Sequence, residues 1–163
     1  MDAVTKEKPY GLVDLAERRA LSGIDFVQGL VDGSLPLNTM ARTIGYDIVE
    51  VAPGRAVVTA TPNAEHLNPE GTVHGGFAAT LLDTCMGLAV RSMTEKNFAM
   101  TTLEFKISFM RPITLETGLV RAEGLVLNSG RRVGSAEGRL TDGSGRLLAH
   151  ATTTCLTFER PGN

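Results

Sequence analysis

Cysteine is scarce in this 163-residue chain: Cys85 and Cys155 stand 70 positions apart with no companion cluster of metal ligands. That scarcity argues against a zinc site and against a disulfide framework, and reads as two buried thiols of a cytosolic protein. Positive charge is not in excess either. Sixteen Lys and Arg against 18 Asp and Glu leave a net charge of −2, with no general attraction to nucleic acid or an anionic membrane. No apolar run is long enough to span a bilayer, and the first twenty residues, MDAVTKEKPYGLVDLAERRA, have no apolar h-region. Secretion and membrane insertion are therefore not expected, and a cytoplasmic location is. Repeats, low-complexity tracts and interdomain linkers are also lacking. What is present is an ordinary globular composition, 42% hydrophobic and 21% charged, suited to one domain with one sizeable core.

Residues 1 to about 10 read as a flexible tail. Over 13–31, Leu15, Leu21, Ile24, Phe26, Val27 and Leu30 follow a loosely helical spacing that stops at Asp32-Gly33 and Pro36. This separates an N-terminal tail and helix, 1–36, from a main domain, 37–160. Residues 44–52 and 55–61 predict two strands joined by a turn at Pro53-Gly54. The segment 75–93 lacks proline, is rich in Ala, Leu and Met, and predicts one long, mostly buried helix. In 101–110, Leu103, Phe105, Ile107 and Phe109 alternate with Thr102, Glu104, Lys106 and Ser108, which predicts a strand with these two sets on opposite faces. Further strands are predicted over 118–127, 133–141 and 147–158, with glycine-bearing turns at 128–130 and 142–145. Two strands, a helix and four strands in an antiparallel meander give an α+β domain whose curved sheet covers the helix.

One carboxylate breaks the apolar run of that helix. A buried Asp83 is costly unless it is paired or has chemical work to do. Asp83 lies eight residues beyond Gly75, so it is not the N-cap; a structural role would pair it with a buried arginine. His74-Gly75-Gly76 precede the helix. Glycines there permit a tight turn, and they also let a ligand approach free N–H groups and the positive end of the helix dipole. Eight helical residues put Asp83 roughly 12 Å along the axis from Gly75 and about 80° around it. One carbonyl cannot easily reach both groups in one chain, so a site using both predicts a homodimer with the two helices near its axis.

The stretch Asn68-Pro69-Glu70-Gly71-Thr72-Val73-His74-Gly75-Gly76, followed by Ala79-Thr80-Leu81-Leu82-Asp83, resembles the signature of hotdog-fold acyl-CoA thioesterases. The nearest branch is the PaaI-type group of phenylacetate-degradation and 4-hydroxybenzoyl-CoA thioesterases. The resemblance extends over about 40–158 and includes Thr102-Leu103-Glu104-Phe105-Lys106 and Phe109-Met110-Arg111-Pro112. It implies a hotdog fold: a long central helix wrapped by a curved antiparallel sheet of about six strands, here preceded by an N-terminal helix. It also implies hydrolysis of an acyl- or aryl-CoA without cofactor or metal, CoA being part of the substrate. Asp83 would be the nucleophile or the general base, and the Gly75 N–H would polarise the thioester carbonyl, with Gly76 beside it. Asn68 would orient the carbonyl or the attacking water, His74 would lie near the leaving sulfur, and Thr102 would position water beside the acid. Family members build this site across a homodimer, and many pair two dimers into a tetramer.

Arg111, Arg131 and Arg132 are candidates for the phosphates of coenzyme A, although strand-end arginines are commonly just solvated. His66 and His150 receive no role. Two other readings compete: an acyl-CoA sensor or binding module without catalysis, and a hydratase or dehydratase acting on enoyl thioesters. A sensor could keep the glycines but would not need Asp83, Asn68 and Thr102 together. A hydratase needs a different motif around the helix.

Overall fold

The computed structural model describes residues 8–162. Most of the expected N-terminal tail, 1–7, lies outside the described residues. Its described end is not loose: Leu37 N–H donates to the Pro9 carbonyl and Gly11 N–H to that of Leu37, both at 2.8 Å. Lys8 Nζ reaches Asp47 Oδ1 at 2.5 Å.

The single helix expected over 13–31 is two helices, because Ser22 provides a second start. Helix α1 spans Leu15–Ala20 behind an Asp14 cap, and α2 spans Gly23–Asp32, ending on Gly33 in the left-handed region. A third short helix, α3 (Thr39–Ile44), begins at Asn38 and stops at left-handed Gly45. It takes Ile44, which periodicity had assigned to a strand. Strand β1 therefore starts at Tyr46 and runs to Ala52; β2 is Arg55–Ala60. Helix α4, Gly75–Ser92, matches the expected long helix. Strands β3 (Phe98–Phe109), β4 (Val120–Ser129), β5 (Val133–Thr141) and β6 (Leu147–Glu159) complete the chain.

All six strands form one antiparallel sheet in the order β1-β2-β4-β5-β6-β3. The expected meander of the last four strands holds only for β4-β5-β6. Strand β3 pairs with β6 at the far edge, and β4 passes back to join β2. Hydrophobic alternation fixes which face of a strand is buried, not which strand lies beside it. The neighbour is decided by how the sheet closes around α4.

Helix α4 crosses the concave face of the sheet, with Leu81, Leu82, Cys85, Met86, Ala89 and Val90 inaccessible or nearly so. Glycines on the strands beneath bring it close. A Cβ built on Gly124 of β4 would lie 2.4 Å from the Cys85 carbonyl oxygen, and one on Gly138 of β5 would lie 2.9 Å from Met86 Cγ. Helix and sheet thus meet backbone to backbone at the middle of α4. Both cysteines are buried and free. Among the described residues, no helix is long and apolar enough to cross a membrane.

Candidate active site

The N-terminus of α4 is built by the loop before it. His74 is the N-cap, and its Nδ1 accepts the Gly76 N–H at 2.8 Å. An accepting Nδ1 leaves the ring proton on Nε2, so the other side of the imidazole is a donor. His74 N–H donates to the His66 carbonyl at 2.8 Å, and Val73 N–H to that of Ile113 at 2.9 Å. His66, for which no role was expected, is buried against Phe77 with ring centroids 4.6 Å apart. Its Nδ1 accepts the Asn63 N–H at 3.0 Å, which pins the loop carrying the site. Asn68 is engaged in its own turn. Its Oδ1 accepts the N–H groups of Glu70 at 3.0 Å and Thr72 at 3.2 Å, and its Nδ2 donates to Thr72 Oγ1 at 2.8 Å.

A groove of about 360 Å³ opens at this end of the helix, with His74, Gly75, Ala78, Phe109, Met110 and Arg111 among its walls. Phe109 lies directly over Gly75: a Cβ there would sit 2.9 Å from the ring's Cζ. Alternation puts Phe109 on one face with Phe105 and Ile107, but nothing in it names Gly75 as the neighbour. Arg111 shares the groove, and its Nη1 donates to the Leu147 carbonyl at 2.6 Å.

Asp83 lies two turns further along α4 and is half-buried. Its Oδ1 accepts a hydrogen bond from Thr102 Oγ1 at 2.9 Å. Strict alternation would put Thr102 on the face opposite Phe105 and Ile107, away from the helix. A β-bulge reverses this. Thr102 pairs with Cys155 and Glu104 with Thr154, so Leu103 is the extra residue. Leu103 turns outward, 56% exposed, while Thr102 joins the inner face above and Phe105 and Ile107 continue it below. The bulge is what brings the hydroxyl to the carboxylate.

The predicted residues therefore fall into groups. Asp83 and Thr102 touch. His74, Gly75, Gly76 and Arg111 gather at the helix N-terminus, with Asn68 in the preceding loop. Arg131 and Arg132 are exposed beside Phe98 and Phe158, and Arg131 also faces Met93–Lys96 past the C-terminal end of α4, away from Gly75.

The family model described as "Thioesterase superfamily" matches residues 70–149, which contain Gly75, Asp83 and Thr102. Human acyl-coenzyme A thioesterase 13 is 31% identical over 108 residues, covering 66% of this chain and 76% of that protein. The chain belongs to the thioesterase superfamily. A Halobacterium salinarum protein bearing an esterase name is 46% identical over 70 residues, a match that takes in 42% of this chain and 44% of that protein. The solved structure of the Escherichia coli PaaI protein, from a phenylacetic acid degradation operon, superposes with a TM-score of 0.67 at 27% identity. The superposition covers 77% of this thioesterase-family chain and 86% of PaaI. The six-stranded sheet around α4 is accordingly the hotdog fold, and membership in the superfamily carries thioester hydrolysis as the reaction class.

Proposed function

We propose that this protein hydrolyses an acyl-CoA thioester at a site shared between two copies of the chain. The observation that carries the reading is the hydrogen bond from Thr102 to Asp83, which the β-bulge at Leu103 makes possible. It fixes one carboxylate oxygen and leaves the other to act. In one course, that oxygen takes a proton from water while the hydroxyl adds to the carbonyl carbon. In the other, it attacks the carbonyl itself to form an anhydride that water then opens. Either way electron density moves onto the carbonyl oxygen, where the Gly75 N–H at the positive end of α4 would stabilise it. The C–S bond then breaks, and Nε2–H of His74 is on the donor side of its ring to meet the departing sulfur. Asn68 shapes the loop in front of the groove and would orient carbonyl or water from there.

Gly75 and Asp83 are eight residues apart on one straight helix, about 12 Å. A shared site removes that gap by pairing Asp83 of one copy with Gly75 of another. Strand β3 supports such pairing: it is a sheet edge of 12 residues with Leu103 and Phe109 exposed. A further pairing of dimers into a tetramer belongs to the same proposal. Arg111, in the wall of the Gly75 groove, would meet a CoA phosphate there, whereas Arg131 and Arg132 would serve only a CoA extending toward the other end of α4.

Thiol release from a panel of acyl-CoAs tests the chemistry. Asp83→Asn is expected to lower kcat by at least ~10²-fold, the range for removing an acid–base group. Undiminished turnover would refute the assignment. Mixing inactive Asp83→Asn with inactive Asn68→Ala subunits should restore part of the activity, and no recovery after demonstrated subunit exchange would refute the shared site. The three hydrogen bonds that tie Asn68 to its own turn favour one other reading, an acyl-CoA binding module. Tight acyl-CoA binding without any thiol release would select it.

A further inference from the structure

Four arginines meet where the N-terminal helices pack on the C-terminal end of α4. Arg18 and Arg19 come from α1, Arg91 from the last turn of α4, and Arg160 from just beyond β6. They are tied into one corner. Asn97 N–H donates to the Arg19 carbonyl at 3.0 Å, and Arg160 N–H donates to the Asn97 carbonyl at 2.8 Å. Arg19 Nη2 also reaches the Pro161 carbonyl at 2.7 Å. Arg91 is only 4% exposed; its guanidinium lies 4.9 Å over the Phe26 ring, and its Nη1 donates to Thr94 Oγ1.

Among the described residues these charges meet no ionic partner. There, Arg91 Nη2 and the Nε atoms of Arg18, Arg19 and Arg160 are buried without a hydrogen-bond acceptor. None of the ion pairs among the described residues includes any of the four. The neighbouring Glu159 carboxylate accepts instead from Asn97 Nδ2, at 3.4 Å. Burial, and then the charge of Arg160, lowers the Arg91 pKa to about 10. Arg160 is likewise lowered, by burial first and then by Arg18 and Arg19. One buried and three half-buried arginines gathered with no carboxylate partner among the described residues carry a cost that a bound anion would offset.

Beside them lies a small apolar pocket of about 200 Å³, walled by Val13, Phe26, Leu30, Pro36 and Leu88, with Arg18 on its side. Phe26 belongs to both features: its ring lines the pocket and lies under Arg91. We propose that this corner binds a small organic carboxylate, its apolar body in the pocket and its head on the Arg18, Arg91 and Arg160 guanidiniums. Inorganic phosphate would match the charges but leave the apolar walls uncovered. A neutral hydrocarbon would do the reverse. The pocket is below the ~300 Å³ at which sites for drug-sized ligands begin, so the ligand is about the size of benzoate. Planar guanidiniums also suit a carboxylate, which they can grip with two parallel hydrogen bonds. The proposal does not depend on the hydrolytic reading, because Asp83 lies eight residues before Arg91 on α4.

Calorimetric titration of the intact protein with benzoate tests this. The expected result is saturable binding, one benzoate per chain. Arg18→Gln and Arg160→Gln, changes at half-buried positions that spare the core, should each weaken it at least about tenfold, the range for losing a hydrogen bond to a charged group. Asp83→Asn should leave it unchanged. Inorganic phosphate should bind at least about tenfold more weakly than benzoate, since it gains nothing from the pocket. Absence of saturable benzoate binding, binding by either arginine variant as tight as by the parent, or phosphate binding as tight as benzoate would each overturn the proposal.

Discussion

Replacing Gly124 with alanine is expected to destabilise the protein by about 3 kcal/mol, the upper end of what a surplus methyl costs in a packed core. The added Cβ would stand 2.4 Å from the Cys85 oxygen, 2.5 Å from the Cys85 carbonyl carbon and 2.7 Å from the Met86 nitrogen. Ordinary contact begins near 3.4 Å, so α4 and β4 must part by about 1 Å at their crossing. No rotamer can relieve this, because every opposing atom is backbone. For a domain of this size the loss corresponds to a fall in Tm of about 6 to 12 °C. Two controls set the scale. Gly138→Ala meets Met86 Cγ at 2.9 Å and Leu82 Cδ2 at 3.0 Å, side-chain atoms that can yield, and should cost about 1 kcal/mol. Gly143→Ala meets nothing within 4 Å and should stay within about 0.5 kcal/mol of the parent. Urea unfolding of the three variants measures the series. Because Cys85 and Met86 follow Asp83 on the same helix, Gly124→Ala should also lower kcat at temperatures where the variant is fully folded. A Gly124→Ala variant no less stable than Gly143→Ala would refute the close crossing of helix and sheet, and with it this placement of Asp83.

Thr102→Val keeps the shape of the side chain but removes the donor to Asp83, so kcat/KM should drop about tenfold or more while the urea midpoint changes little; steady-state thiol release reads the effect. Gly75→Ala should impair turnover by pushing its methyl toward Phe109, and adding Phe109→Leu should recover part of it if the ring is the obstacle; kcat for the single and double variants decides. Glu50 is held below its ordinary pKa by hydrogen bonds from Arg55 and Arg121. For Glu123, burial pushes upward, but hydrogen bonds from the same two arginines outweigh it and the net shift is down. Carboxylates lowered in the folded state stabilise it above the ordinary glutamate range, and that stability is lost as pH falls through the folded values. Urea midpoints between pH 7 and pH 3 should therefore fall less steeply for Glu50→Gln/Glu123→Gln than for the parent, and identical slopes would refute the network's contribution.

Most of the residues proposed for the site are local in sequence, which is why they were readable there. His74-Gly75-Gly76 and Asp83 sit on one helix with known rise, so their separation follows from the chain alone. The apolar character and length of 75–93 likewise sufficed to find α4, because a long helix is set by its own hydrophobic pattern. The split between α1 and α2 was present in the capping residue Ser22, although periodicity alone passed over it. Other features needed the folded molecule. Alternation along β3 gave two faces but could not reveal that Leu103 is surplus, since a bulge is defined only against the opposing strand, here at Cys155 and Thr154. That one extra residue decides whether Thr102 faces Asp83 or solvent. Strand order was equally out of reach: β3 meets β6 at a separation of up to 61 residues, from Phe98 to Glu159, through pairing that no local pattern encodes. The same is true of the arginine corner, where Arg18, Arg91 and Arg160 come from three distant parts of the chain. Sequence supplied the candidate site residues and the helix that carries most of them; their orientation came from contacts made only once the sheet had closed around that helix.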